Sequence, residues 1–332
     1  MTRANSVHAI RIHRFGGPEV MQWEELDPGR PGPGEVRLRH TAAGVNFVDI
    51  AQRSGQMKIS LPIVLGRAGA GRVLEVGAGV TSLKPGDRVA YAPYNGAYSE
   101  ERLIAADKLL PIPDSLPPGL DDAVVGASIL QGLTTQYLVR QVHRVAPGET
   151  LLVHSAAGGV GLILCQWAAA LGATVIGAVS TEAKARLARE NGCAHALVYS
   201  QGDFVEAAIR ANGGKKLDAV YDAVGADTFM RSLDALRPAG KIVTYGRSSG
   251  PVPPIDAGML MMKGALSVST GNLIAFTEGL GKLQEMARDW FDALAAGRVR
   301  VTVNQTYAMK DAARAHADIE ARKTTGTTAL LP

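Results

Sequence analysis

The sequence predicts an α/β protein in which a doubly wound parallel sheet is inserted into an all-β unit. Three observations predict it. No Asp, Glu, Lys or Arg occurs between Glu149 and Glu182, and glycines cluster in the middle of that run at Gly158, Gly159 and Gly161. From Leu151 onward, short apolar runs alternate with amphipathic helical patterns, the rhythm of crossover-connected parallel strands. Before Tyr91, short alternating or β-branched runs are separated by "PGPG", "GAG" and "KPGD", and the chain closes on one more apolar run, "TTALLP".

The elements follow in order. "SVHAIRIHRFGG", "EVRLRHTAAGV", "AGRVLEVGAGV" and "DRVAYAP" read as strands of a compact, partly open barrel. "DDAVVGASILQGLTTQYLVRQV" reads as a helix, with Asp121 or Asp122 near its cap. The uncharged run is long enough to cross a bilayer, but its glycines, His154, Ser155 and Gln166 interrupt it. It parses better as strand "TLLVHS", turn "AAGG", helix "VGLILCQWAAAL", a cap at Gly172, and strand "TVIGAV". A parallel strand buried on both faces reads as continuous apolar sequence, which accounts for the missing charge. "ALVYS", "LDAVYDAV", "KIVTYG" and "ALSVST" are the further strands, with helices over "TEAKARLAREN" and "DFVEAAIRAN" between them. A long helix is expected over "FTEGLGKLQEMARDWFDALAAG", then strand "RVRVTVNQTYAM", helix "KDAARAHADIEAR" and the terminal strand. A last strand after a helical domain often rejoins the first sheet. The predicted domains are 1–128, 129–271, and a return to the first over 272–332.

Composition narrows the function classes. The chain has 332 residues, 46% apolar and 20% charged, with a formal net charge of +4 and basic residues scattered along it. Nucleic-acid binding is therefore not favoured. Cys165 and Cys193 are the two cysteines, too few for a four-cysteine zinc lobe or a disulfide framework, and are expected as small buried side chains. The N-terminal "MTRANSVHAIRIH" has no apolar signal segment, so a cytoplasmic location without membrane association is expected.

"AAGGVG" follows a strand and opens a helix. It keeps two of the three glycines of the dinucleotide fingerprint, Gly158 and Gly161, with Ala156 in place of the first. Small residues there let a backbone approach a diphosphate, and the helix N-terminus supplies unpaired amides. An NAD site offers an acid at the tip of the second strand. Here Val179 and Ser180 stand at that tip, and Lys184 follows one helical turn later, which favours NADP(H), although Glu182 would oppose a phosphate.

"PGPGEVRLRHTAAGVNFVD", "LKPGDRV" and "HSAAGGVG" resemble the medium-chain dehydrogenase/reductase superfamily. "NFVDIAQRSG", "YGRSSG" and "EARKTTGTTALLP" narrow the likeness to its zinc-independent quinone oxidoreductases, the zeta-crystallin-like branch, over nearly the whole chain. The resemblance implies a GroES-like β-barrel domain, an inserted Rossmann domain, NADPH in the cleft and a homodimer. By motif it implies that Asn46 lies near the nicotinamide and that Thr134 reaches the cofactor. Gly158, Gly159 and Val160 would cradle the diphosphate, and Ser180, Lys184 and Tyr199 would address the adenosine phosphate. Gly246, Ser248, Ser269 and Arg322 would complete the pocket. Three positions depart from the pattern. Ala51 stands where the family often has Tyr, "GRAGAG" replaces "G-x-E-A-A-G" with Arg67 and Ala68, and the "VST" tip is variable.

Zinc is not expected. Asn46 stands where zinc-bearing relatives have Cys, "GRA" replaces "GHE", and the seven histidines form no ligand-spaced cluster. His8, His13 and His40 are expected in strands and His154 in the core. Alcohol oxidation would then lack a Lewis acid, whereas a quinone or enone accepts hydride with less assistance. The expected activity is NADPH-dependent quinone reduction, with Asn46 as the candidate catalytic residue and an enone or alkenal double-bond reductase as the alternative. A non-catalytic RNA-binding role is a remote alternative. "GRSSG" matches the hydrolase elbow G-x-S-x-G, but "PVPP" follows it and forbids the required helix. The late strand "KIVTYG" and "MLMMKGALSVST" are expected to pair across a twofold axis, since a bare edge invites aggregation.

Overall fold

The computed structural model describes residues 6–279 and 281–332. The chain divides into two units, one formed by 1–130 with 301–332 and the other by 131–300.

The first unit is built from two β-sheets. Val7–Ile12 pairs antiparallel with Gln22–Leu26 on one side and Ile63–Val64 on the other. The second sheet runs Val303–Ala308, Thr327–Leu331, Glu35–Gly44, Gly69–Val76, Arg88–Tyr91 and Leu110–Pro111, with Glu101–Ala105 also paired to Glu35–Gly44. The C-terminal strand rejoins the N-terminal part here, with Ala329 opposite Gly44 and Leu330 opposite Ala43. Ile10, Leu38, Leu65, Tyr98 and Met309 fill one core between the sheets. The predicted strands lie where their apolar residues alternate inward; the short Phe47–Ser54 helix was not among the elements read from sequence.

The second unit carries one six-stranded parallel sheet. Its order is His195–Val198, Thr174–Val179, Thr150–His154, Leu217–Asp222, Leu236–Thr244 and Ser267–Thr270. All five residues of Thr150–His154 are buried, as are five of six in Thr174–Val179, so the absence of charge there follows from two covered faces. The order reverses beside Thr150–His154. The first three strands step one way and Leu217–Asp222 starts the other, and ligands bind outside the carboxyl ends at such a point.

Three expectations need correction. The single helix over "FTEGLGKLQEMARDWFDALAAG" is instead two, Leu273–Thr277 and Lys282–Ala295. Gly279 and Gly281 adopt φ of 105° and 77°, left-handed values that end one helix before the other begins. The second boundary falls after Arg300 rather than at 271/272. Packing explains the shift: fully buried Trp290 lies 5.9 Å from Trp167, and a Cβ on Gly132 would come within 2.2 Å of its indole. His13 lies one residue beyond its strand, exposed, and pairs with Glu24 at 2.6 Å.

Candidate active site

The turn after Thr150–His154 is shaped by backbone demands. Ser155 takes φ 54°, and its carbonyl accepts from the Gly158 amide at 2.9 Å. Helix Gly159–Ala170 starts on Gly158 with no side-chain cap and no acid in its first turn. The amides of Gly159 to Gly161, without a backbone partner among the described residues, precede the Leu162 amide that bonds the Gly158 carbonyl at 2.9 Å. The glycines differ in why they are needed. A Cβ on Gly161 would lie 2.2 Å from the Ser155 carbonyl oxygen, and one on Gly159 would lie 2.5 Å from the Gln131 amide. A Cβ on Gly158 would meet one atom, Ser155 O, at 3.3 Å, and Gly158 has an ordinary φ of −83°. The fold therefore excludes a side chain outright at Gly161, against backbone, and at Gly159 only while the Gln131 side chain keeps its place, whereas at Gly158 a Cβ would meet a single atom and its absence leaves open space over the amides. That cradle fits a diphosphate.

The other predicted residues of this unit gather along the same carboxyl edge. Ser180 follows Thr174–Val179, Tyr199 follows His195–Val198, Gly246 and Ser248 follow Leu236–Thr244, and Ser269 lies in Ser267–Thr270. Gly246 has no room for a Cβ, which would sit 2.5 Å from the Ala223 carbonyl. Ser180 is exposed, and the Thr181 hydroxyl caps the next helix by accepting from the Lys184 amide at 3.3 Å. Glu182, the residue that would oppose a phosphate, accepts from Gln201 at 2.9 Å and pairs with Arg189 at 3.7 Å. Thr134 lies on helix Asp122–Tyr137.

His154 anchors this edge from below. Its Nδ1 is 2.7 Å from the Tyr199 hydroxyl and its Nε2 is 2.9 Å from Ser232 Oγ. Ser232 donates its own proton to the Thr228 carbonyl at 2.8 Å, so it must accept from Nε2–H. Nδ1 then accepts from Tyr199, whose single proton is directed inward. Burial holds the imidazole down at about 4, against the pull of Asp222, and a neutral ring is what this network requires. Asp222 is fully buried and satisfied by the amides of Val224 and Gly225 and the Thr228 hydroxyl.

Asn46 and Arg322 belong to the other unit. Arg322 follows the Ala312–Glu320 helix at φ 56°, its amide bonding the Ile319 carbonyl at 2.9 Å. Asn46 precedes helix Phe47–Ser54. Its amide donates to Asp49 Oδ2 at 2.8 Å and its side chain donates to the Gly44 carbonyl at 3.3 Å. Behind it runs a buried chain that sequence reading missed. Arg53 Nη1 donates to His316 Nδ1 at 3.3 Å. His316 Nε2–H therefore points at the Tyr98 hydroxyl, 3.1 Å away, and Tyr98 donates to Asp49 Oδ2 at 3.1 Å. Burial pushes the Asp49 carboxyl up to about 6, against the Asn46 amide, the Arg67 charge and the Tyr98 hydroxyl. Burial and the Arg53 charge hold His316 down at about 3. Among the described residues, no group of three or more His, Cys, Asp or Glu is placed to hold a metal ion.

A barrel-like unit with a returning C-terminal strand, joined to a parallel sheet bearing a glycine turn that fits a diphosphate, defines a medium-chain nicotinamide-dependent dehydrogenase/reductase. Residues 32–150 match the alcohol dehydrogenase GroES-like domain, and 159–276 match the zinc-binding dehydrogenase domain. A quinone oxidoreductase of Pseudomonas aeruginosa is 46% identical, over 97% of this chain and 99% of the relative. A 2-haloacrylate reductase of a Burkholderia species is 44% identical, over 98% and 99%. The crystal structure of Escherichia coli quinone oxidoreductase complexed with NADPH has a TM-score of 0.93 at 43% identity, covering 98% of this chain and 100% of that one. The chain belongs to the quinone oxidoreductase family of the medium-chain dehydrogenase/reductase superfamily.

Proposed function

We propose that the chain is an NADPH-dependent quinone oxidoreductase that transfers hydride without a protein-bound metal. The observation that carries this reading is Gly158: a glycine where a Cβ would meet a single atom, over helix amides without a backbone partner among the described residues, at the reversal point of a parallel sheet. Gly158, Gly159 and Val160 would hold the diphosphate, and Ser180, Lys184 and Tyr199 the adenosine phosphate. Engagement of Glu182 by Gln201 and Arg189 removes the main objection to a phosphate there. Thr134, Gly246, Ser248, Ser269 and Arg322 would complete the cofactor pocket. When bound, the reduced nicotinamide supplies the hydride. The protein's work is to orient the acceptor and exclude water. Asn46 has the role of orienting a carboxamide or the acceptor oxygen, and the Asp49 carboxylate fixes its backbone. The carboxamide and guanidinium at Asn46 and Arg67 are poor zinc ligands, so no step is assigned to a metal.

A second reading, reduction of an electron-poor double bond, is favoured by Ala51, a small half-buried side chain where the family often has Tyr, and by the 2-haloacrylate reductase among the relatives. We also propose a homodimer. Among the described residues Ser267–Thr270 ends the sheet with one neighbour, and Met261 and Met262 nearby in sequence are 66% and 80% exposed. Light scattering at micromolar concentration tests it, and a monomer rejects it. The function is tested by following NADPH and NADH loss with a bulky ortho-quinone. Asn46→Ala should lower turnover more than Lys184→Ala at saturating NADPH. Equal turnover of Asn46→Ala and the unaltered chain removes the role of Asn46, and no turnover with any quinone or enone overturns the function.

A further inference from the structure

Arg67 is this chain's own departure in the turn that faces Asn46 through Gly44. The Gly44 amide donates to the Ala68 carbonyl at 3.0 Å, and the Gly44 carbonyl accepts the Asn46 side chain. Gly66 sets the turn with φ 86°, and a Cβ there would lie 2.2 Å from the Tyr98 ring. Arg67 is thus carried on a rigid backbone in the same small cluster as Asn46 and Asp49.

The guanidinium is also fixed. Nε and Nη2 both donate to the Pro93 carbonyl, at 3.2 and 2.9 Å. The remaining terminal nitrogen, Nη1, has no acceptor among the described residues and is not sealed from solvent. Arg67 keeps 9% of its surface exposed. Asp49 contributes an opposing charge but does not approach within ion-pair distance among the described residues. Ala68 supplies a methyl group where the family pattern has a carboxylate, so no neighbouring acid in the turn claims the charge. A preorganised, mostly buried cation with one donor edge free is an anion-recognition element, because a guanidinium's donors cannot be satisfied by apolar groups.

We propose that Arg67 binds the carboxylate of an anionic acceptor, making electron-poor 2-enoates substrates alongside neutral quinones. The proposal rests on the reductase reading above. In the reaction, hydride from NADPH forms a C–H bond at carbon 3 of the enoate. The π bond between carbons 2 and 3 breaks, and its electron pair moves onto carbon 2 and the carboxylate. A solvent proton then forms the C–H bond at carbon 2, leaving the saturated acid and NADP+. The net charge of the acceptor doubles as hydride arrives, and part of the new charge falls on the carboxylate, so a fixed cation there stabilises the transition state more than the bound substrate.

The test compares 2-chloroacrylate with its methyl ester as acceptors for the NADPH-loaded protein. Expressing the result as the ratio of kcat/KM for acid over ester, variant against unaltered chain, cancels intrinsic reactivity. Arg67→Met should lower that ratio roughly 10- to 100-fold, the loss of one charge-assisted contact, and Arg67→Lys should restore part of it. An unchanged ratio in Arg67→Met overturns the proposal. A binding measurement on the unaltered protein keeps it falsifiable should Arg67→Met fail to fold. In the presence of NADP+, 2-chloropropionate should bind at least about tenfold more tightly than its amide, and equal affinities overturn the proposal. Turnover of a quinone with neither turnover nor binding of the acid defeats Arg67 alone, whereas turnover of no acceptor defeats the reductase reading itself.

Discussion

Gly158 and Gly161 offer a way to separate what the fold needs from what a ligand needs. Alanine at Gly161 would place its Cβ 2.2 Å from Ser155 O and 2.9 Å from Ala156 Cα. Neither neighbour can yield. The Ser155 carbonyl holds the Gly158 amide at 2.9 Å, and Ala156 is fully buried with its Cβ 2.8 Å from where a Cβ on Gly177 would sit. The helix would have to lift from the strand, costing about 3 kcal/mol or more. Alanine at Gly158 meets one atom, the same Ser155 carbonyl oxygen, but at 3.3 Å, only a few tenths of an ångström too close, and at no unfavourable φ, so its stability cost should be about 1 kcal/mol, well below that of Gly161→Ala. Yet its methyl group would enter the space over the helix amides and lose one or two charge-assisted hydrogen bonds to a diphosphate. At about 1.5–3 kcal/mol each, that weakens NADPH binding roughly 10-fold for one weak bond and about 10^4-fold for two strong ones. Thermal unfolding and NADPH titration by nicotinamide fluorescence on both variants check this. Gly161→Ala should lose both properties and Gly158→Ala the second alone. If Gly158→Ala binds NADPH as the unaltered chain does, the diphosphate does not lie over this turn and the cofactor assignment fails.

Acid should unfold the protein through its buried imidazoles. His40 and His316 are held at about 3 and His154 at about 4, chiefly by burial, from an ordinary 6.5. Their contribution is full above 6.5 and is lost as pH falls toward those values, about 2–3 kcal/mol each by pH 4.5. Asp49 acts oppositely: raised from 3.8 to about 6, it adds stability as pH falls through 6, by about 2 kcal/mol. The net loss of about 5 kcal/mol between pH 7 and 4.5 should lower the urea midpoint, and a midpoint that rises would refute the neutral-histidine networks. Lys184→Ala should raise KM for NADPH about tenfold and leave that for NADH nearly unchanged; equal effects on both would remove Lys184 from the phosphate site. His154→Phe removes the acceptor of the Tyr199 proton and the donor to Ser232, and should cost about 2–4 kcal/mol in thermal stability; a shift below about 0.5 kcal/mol would show that the network is not structural.

Much of the parallel sheet was legible because two-sided burial writes itself into sequence as unbroken apolar runs, as in Thr150–His154 and Thr174–Val179. The glycine turn was legible because its glycines sit between such a run and a helix. The helix break at Gly279 and Gly281 was hidden because the flanking segments keep apolar residues at helical spacing and isolated glycines are tolerated in helices. The Phe47–Ser54 helix was hidden by its length, eight residues with a cap that reads equally as a turn. The Arg53–His316–Tyr98–Asp49 chain was not legible at all. Its links join residues 263, 218 and 49 positions apart, and no local pattern marks a partner at that distance. Gln131 against Gly159 is a case of the same kind, a side chain from the preceding helix that determines whether the turn admits a Cβ.

The two units meet one requirement in parallel ways. Each presents a polar residue near its candidate site, Asn46 in one and Tyr199 in the other, and each roots that residue in a directed hydrogen-bond chain through a buried histidine. In the first unit protons point from Arg53 through His316 and Tyr98 to Asp49, which also receives the Asn46 amide. In the second they point from Tyr199 through His154 and Ser232 to the Thr228 carbonyl. Direction is the essential feature. An imidazolium donates from both nitrogens, so protonating His154 would set two donors against each other at Tyr199, and protonating His316 would do the same at Arg53. Both rings must stay neutral for the chains to run, and burial, which lowers both, ensures that they do. Asp49 is the exception that completes the scheme. As the terminus of its chain it accepts from two donors, and an ionised carboxylate suits that task even where burial disfavours charge. Replacing it with Asn keeps the shape but substitutes a carboxamide for an anion between Asn46 and Tyr98, so the position of Asn46, rather than the stability of the sheet, is where that change should first be felt.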